Sequence, residues 1–428
     1  MSEQLPEAPS SVSPERLGPS SFAYAAARRS SRHAWLRGLV HSVTGVDLFP
    51  RDEIAERFIA GLSEGDPIAE RFVAETVHGE LGPARSRELL ERALATSIDE
   101  IPEAPASMRA LLEDFERAPS WLDPELVEEG AAVWRRWGYS LGAVGNAGTM
   151  DTYTEAWLAL PLSLSGGYAG ERALHRYIET SRWWLEVSRP GAVLTKGSRA
   201  RAISLHVRVM HVSVRGRVAE HPEWDATRFG LPISQSAMML TLLGGSVAPA
   251  LGLYALGHVT TPREMRAVLH FNRYLGHLVG VQCDDYFPET VLDAWRILYK
   301  CDAARTYESG ALAEELVESF VPAFAPGPHR RGFERWRAAY HFHVQAGYSG
   351  LFMLPWNRRR YEMPSPLLGI ALLALRAPAI FTLELARRLS PAVDRAWQRS
   401  SHARWERWHE WQSSGKEARF EAGKALRR

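Results

Sequence analysis

The stretch RAISLHVRVMHVSVR, residues 201–215, decides how the chain folds. Ile203, Leu205, Val207 and Val209 alternate with other residues, and valine favours extended chain, so a strand is the first reading. A second periodicity runs against it. Arg201, Ser204, Arg208, His211 and Arg215 are spaced three, four, three and four apart, which is one stripe of a helix. On a strand, Arg208 and His211 would point to opposite faces. Behind the polar stripe, Ile203, Val207, Met210 and Val214 repeat with the same helical period. The segment therefore reads as a helix buried round most of its circumference. That raises a question of charge, because an arginine leaves water only where something anionic receives it.

The rest of the chain reads as helical too. In LDPELVEEGAAVWRRWG, residues 122–138, Asp123 stands as N-cap, Pro124 at the first helical position and acids in the first turn. TPREMRAVLHFNRYLGHLVGV, residues 261–281, opens with Thr261, Pro262 and Glu264 at capping-box spacing. Its apolar positions Met265, Val268, Leu269, Leu275 and Val279 recur at helical intervals. Trp405, Trp408 and Trp411 lie three apart on one helix face, a packing surface for the body of the protein or for a second copy. Residues 236–259 carry no formal charge, but Gly244, Gly245, Pro249 and Gly252 divide them, so they read as a pair of buried core helices. Residues 367–386 read as buried core as well, interrupted by Arg376 and Pro378. No stable membrane insertion is expected.

Of the 428 residues, 46% are apolar and 24% charged, enough for a large core, and no low-complexity linker cuts the chain after its start. The expected organisation is a polar, disordered tail over residues 1–30 and a single all-helical domain over residues 31–428. A net charge of +1 gives no general attraction for nucleic acid. Two cysteines, Cys283 and Cys301, fit a reducing compartment. Arg28 and Arg29 form an arginine pair, but no apolar export segment follows, and a cytoplasmic location is expected.

The polar stripe admits two readings. The plain one is a solvated helix face with an incidental histidine. The sharper one is a haem site, since iron accepts a neutral imidazole nitrogen and arginines pair with propionates. His211 with Arg208 and Arg215 about one turn away supplies both on one face. Other constellations carry less. Asp284 and Asp285 suggest a magnesium–diphosphate enzyme of the isoprenoid-cyclase kind, but Pro288 breaks the helix there and no second such motif follows. His341 and His343 point apart on a helix, and His277 reads as a satisfied core histidine. The chain has no P-loop, dinucleotide fingerprint or nucleophile elbow.

RVMHVSVR, residues 208–215, resembles the haem-ligand helix of the rubber oxygenases of latex-clearing-protein type, a family that includes an oxygenase of mycophenolic acid biosynthesis. LPISQSAMMLTLL (231–243) is similar to the family's Pro-Ile-Asn-Gln segment, with Ser234 in place of Asn. RYLGHLVGV (273–281) resembles its Gly-His-x-x-Gly-Val segment, and RALHRYIETSRWWLEV (172–187) its distal helix. The likeness covers residues of about 115–385 in the same order. It implies an all-α, globin-like haem-binding core with additional helices. It also implies haem b with His211 as axial ligand, and Arg208 and Arg215 fixing the haem by propionate pairing or by packing. The family's distal Arg-x-x-Lys-Thr becomes Arg172, His175 and Arg176 here, so His175 is a second ligand, an oxygen-side donor or neither. Glu155 falls near a glutamate that serves catalysis in the family. The implied activity is haem-dependent oxygenation of an apolar, alkene-containing small molecule by dioxygen, with cleavage of the double bond. A homodimer is left open, and the non-enzymatic alternative is a haem sensor or carrier.

Overall fold

The computed structural model describes residues 19–413, apart from 23, 25, 26, 28, 29, 31, 32, 50 and 166–171, and the side chains of 172, 245–249 and 251. Among the described residues every regular element is helical, as the sequence predicts. The helices of six residues or more begin with α1 (Ala34–Thr44), α2 (Asp52–Ala60), α3 (Pro67–Phe72), α4 (Gly82–Ala95) and α5 (Ala106–Glu116). The middle of the chain forms α6 (Pro124–Thr152), α7 (Ala156–Leu164), α8 (Arg172–Val187), α9 (Arg199–Ala219), α10 (Gln235–Gly252) and α11 (Pro262–Leu278). Then follow α12 (Val291–Ala303), α13 (Gly310–Phe320), α14 (Gly332–Phe352), α15 (Leu367–Leu389) and α16 (Pro391–Ser413).

The long helix α6 is the axis of the core. Asp123 caps it by accepting from the backbone of Glu125 and Leu126, with Pro124 at its first turn. Helices α10, α11, α14 and α16 pack along it. Close approach is possible because α6 carries glycine where neighbours come nearest. A Cβ on Gly130 would lie 2.4 Å from the Ala267 carbonyl of α11, and one on Gly138 would lie 2.3 Å from the Trp405 ring of α16. Trp134 of α6 stacks on Trp184 of α8 at 4.0 Å between centroids. Trp405 and Trp408 are buried in this core, so the tryptophan stripe packs on the body. The capping box of Thr261 and Glu264 forms as the spacing predicts.

Three expectations change. Residues 236–259 form not a pair of helices but α10 followed by a short 3-10 turn, Leu253–Leu256. Packing between α6 and α11 supplies the order that glycine and proline withhold. Helix α15 runs straight through Arg376 and Pro378, and it is not a buried core helix. Its inward side carries Glu384 and Arg387, which leaves most of its leucines outside. The tail expected over residues 1–30 ends earlier. Ser20 and Ser21 donate to the Thr227 and Arg228 carbonyls, and Phe22, Tyr24 and Ala27 are buried because their apolar surface finds the core. Residues 1–18, where the rest of that expectation falls, lie outside the described residues.

Candidate functional site

Helices α8 and α9 form an antiparallel hairpin. Ser198 caps α9 by accepting from the Arg201 backbone, and Trp183 of α8 donates its indole hydrogen to Ser204 of α9 at 3.0 Å. That bond sets the register. Arg176 lies seven residues before Trp183 on α8, and His211 seven residues after Ser204 on α9.

The polar stripe of α9 is not solvated. Arg201, Ser204, Arg208 and Arg215 are all buried, while Val207 and Met210 of the apolar stripe are only half-buried. The anions that receive the arginines come from the N-terminal third of the chain. Arg208 donates to both carboxylate oxygens of Asp66, at 2.7 and 3.0 Å, and pairs with Asp114 at 2.8 Å. Arg215 donates to Glu70 at 2.8 Å and to the carbonyls of Pro232 and Ile233 at 3.2 and 2.6 Å. Arg201 donates to Tyr274 and to the Val193 and Phe115 carbonyls, and its guanidinium lies over the Phe115 ring. The guanidinium groups of Arg208 and Arg215 are thus engaged by carboxylates and carbonyls of the chain itself.

The motif segments converge on this knot. Ile233 adopts φ 51°, a left-handed conformation that a β-branched residue avoids, and Arg215 grips the carbonyl of that turn. Gln235 donates to the Gly65 and Gly280 carbonyls and accepts from the Gln282 backbone, so one side chain ties three segments together. Gly280 has φ 92°, and a Cβ there would stand 2.2 Å from Asp66 and 2.9 Å from Arg208. Only glycine fits.

His211 is the member of the stripe that the knot leaves over. Its Nδ1 is sealed from water with no hydrogen-bond partner, and no bond to its Nε2 is present among the described residues. Burial pushes the imidazole down to about 4; the Arg215 charge adds to the shift and Asp66 opposes it. The ring is therefore neutral at pH 7, with a lone pair to offer. Among the described residues no cluster of three or more His, Cys, Asp or Glu side chains could hold a metal ion by itself. A single neutral nitrogen suits a metal that brings its other ligands with it, as haem iron does. His211 fits that group.

The remaining candidates divide. His175 and Arg176 share one buried carboxylate, Glu179, at 3.3 and 2.9 Å. The His175 side chain is 57% exposed. Arg172 opens α8, but its side chain lies outside the described residues. Glu155 belongs to a different network. Its carboxylate accepts from the backbones of Thr306 and Tyr307 and the hydroxyls of Thr306 and Thr154. Tyr307 adopts φ 62°, so Glu155 clamps a strained turn. Next to it, Arg305 pairs with Asp151 at 2.6 Å. Burial raises the Glu155 carboxyl, and those donors oppose the shift. His277 donates to the Arg117 carbonyl at 3.1 Å and is a satisfied core histidine, as expected. Sequence reasoning misses Asp66, Glu70 and Asp114, since carboxylates that far away leave no periodic signal, and it misses Glu179 although the i+4 and i+3 spacing from His175 and Arg176 carries one.

Residues 131–380, more than half of the chain, match the family described as ER-bound oxygenase mpaB/B′/rubber oxygenase, catalytic domain. A rubber oxygenase of Streptomyces sp. (strain K30) is 27% identical over 191 residues, which cover 44% of this chain and 46% of that protein. The match thus spans about half the length of that relative. A solved structure, latex clearing protein in the closed state, superposes with a TM-score of 0.48 at 19% identity, covering 92% of this chain and 91% of that one.

Proposed function

Because the chain belongs to the family of the ER-bound oxygenases mpaB/B′ and rubber oxygenase, by its match to their catalytic domain, we propose that it is a haem b-dependent oxygenase. Its substrate is an apolar, alkene-containing small molecule of isoprenoid or polyketide type. The observation that carries the reading is His211, a buried, neutral histidine without a hydrogen-bond partner among the described residues, on a helix whose arginines are already neutralised. Haem b supplies the iron at which dioxygen is activated.

The chain's own residues hold and orient. His211 would hold the iron through an imidazole nitrogen. Arg208 and Arg215 fix α9 against Asp66, Asp114 and Glu70, which keeps the imidazole from drifting. Arg172, His175 and Arg176 would supply the opposite side, with Glu179 orienting the latter two as hydrogen-bond donors. The exposure of His175 favours one axial histidine over two. Glu155 acts at a remove, by positioning the turn it clamps. In the reaction, one carbon–carbon double bond breaks and each carbon takes one atom of dioxygen, giving two carbonyl groups. A diffusible substrate in the cytoplasm is the natural partner of this scheme.

The test begins with cofactor content. Protein purified from haem-replete cells should show a Soret band and one extractable haem b per chain, because the chain has no Cys-x-x-Cys-His attachment motif. It should then consume dioxygen with a terpenoid alkene and release carbonyl products. Colourless protein from such cells would overturn the proposal.

A further inference from the structure

Helix α15 is built inside out. Leu389, Leu375 and Leu367 are 87%, 79% and 73% exposed, and Phe381 and Leu385 are exposed beside them. The charges lie within. Glu384 accepts from the Trp137 indole at 2.8 Å and pairs with Arg387 at 2.7 Å, and Arg387 also reaches Glu264 at 2.9 Å. A helix in water normally shows the reverse pattern. An outward stripe of this kind marks a surface that meets something apolar.

By length and composition alone, α15 could cross a membrane. Its packing says otherwise. Gly369 meets Gly347 of α14 so closely that a Cβ on Gly369 would stand 1.9 Å from the His343 carbonyl. The buried ion pair holds the other end to α6 and α11. The helix, about 34 Å long at 1.5 Å per residue, therefore lies flat on the body.

Beside it, α14 presents Phe333 and Trp336, 69% and 63% exposed, stacked in a ladder that ends on Tyr340. Arg376 of α15 donates to the Tyr340 hydroxyl at 3.1 Å, which joins the ladder to α15. Exposed tryptophan beside an apolar stripe is typical of side chains at a membrane–water boundary. Arginines frame the face. Arg331 and Arg335 flank the aromatic ladder, Arg359 and Arg360 precede α15, and Arg388 stands at its end, all exposed, with Arg360 lying over the Tyr307 ring and Arg388 donating to the Val259 carbonyl. Against them stand Glu362 at the near edge and Glu334, which accepts from Trp411.

We propose that the outer face of α15, with Phe333 and Trp336 beside it and the arginines around it, docks on an anionic lipid bilayer. The helix lies in the interface without spanning it. The leucines and Phe381 enter the acyl boundary, while the arginines meet lipid phosphates. The sign of the rim decides against a second copy. Two such faces meeting about a two-fold axis would oppose arginine to arginine. The inference does not depend on the cofactor.

Flotation of the full chain with phosphatidylcholine vesicles, with and without phosphatidylglycerol, tests it. The protein should float with the anionic vesicles and detach as salt rises. The double variant Leu375→Glu, Leu385→Glu should bind roughly tenfold less or weaker still. Both positions are exposed, so circular dichroism and haem content should match the parent. Gel filtration should find the parent monomeric. Three results would overturn the proposal: no flotation with either vesicle, equal binding by the variant, or a dimer that the substitutions split.

Discussion

Two histidines on two packed helices, His211 of α9 and His277 of α11, look alike in the sequence and differ in the fold. Each lies within a motif segment, and an arginine of α9 bears on each, Arg215 on His211 and Arg208 on His277. His277 donates to the Arg117 carbonyl and stacks on Tyr274, so its nitrogen is used. His402 and His409 are spent in the same way, on the Leu185 and Ile178 carbonyls. His211 has no such partner among the described residues. Lack of a partner is not by itself the mark of a ligand, because both nitrogens of His258 are buried and unpaired as well. His258 is closed on both sides, however, and nothing can approach it. His211 instead lies on the motif helix, between arginines that the protein holds with Asp66, Asp114 and Glu70. A histidine whose hydrogen bonds are complete builds structure, and His211 is the unpaired one that stands between the held arginines of α9.

The comparison can be broken first at the arginine common to both regions. Arg208→Ala leaves Asp66 buried without its cation, and should cost about 3–5 kcal/mol in urea unfolding, with loss of haem as a consequence. A loss below about 1 kcal/mol would mean that Arg208 is not what holds α9 in place.

A smaller effect separates sealed from bonded histidines by pH. Burial pushes His258 down to about 3, and Arg376 and Arg387 add to it. Its folded pKa lies below the ordinary 6.5, so the unfolded chain binds the extra proton. The stability from this group is complete above about pH 6.5 and falls as pH drops from there toward the folded value. Between about pH 6.5 and 5 the loss is on the order of 2 kcal/mol. His258→Gln should reduce that slope in urea midpoints taken across the range, and an unchanged slope would contradict the assignment. Smallest is His277→Ala, which removes one hydrogen bond and should cost about 1 kcal/mol while the Soret band stays where it was. A bleached His277→Ala protein would exchange the roles of the two histidines.

Much of this was legible beforehand. The three-four spacing of Arg201, Ser204, Arg208, His211 and Arg215 was enough to make α9 a helix against the pull of its valines. Caps at Asp123 and Thr261 were legible because capping is local chemistry. Which way a stripe faces is not local. The arginines of α9 turned inward because Asp66, Glu70 and Asp114 fold up against them from far along the chain. Helix α15 looked like core for the same reason in reverse, since the buried partners of Glu384 and Arg387 sit on α6 and α11. On the distal side the i+4 and i+3 spacing of Glu179 from His175 and Arg176 was local and readable, whereas the exposure of His175 was not.

The central claim is that His211 holds haem iron, and haem stoichiometry in His211→Gly, with and without added imidazole, tests it most directly. The parent should carry one haem b per chain by pyridine haemochrome assay. His211→Gly should lose most of it while keeping its helical circular dichroism, and imidazole supplied during reconstitution should restore the Soret band by filling the vacated axial position. Full haem retention by a folded His211→Gly protein, with a spectrum indifferent to imidazole, would contradict the claim.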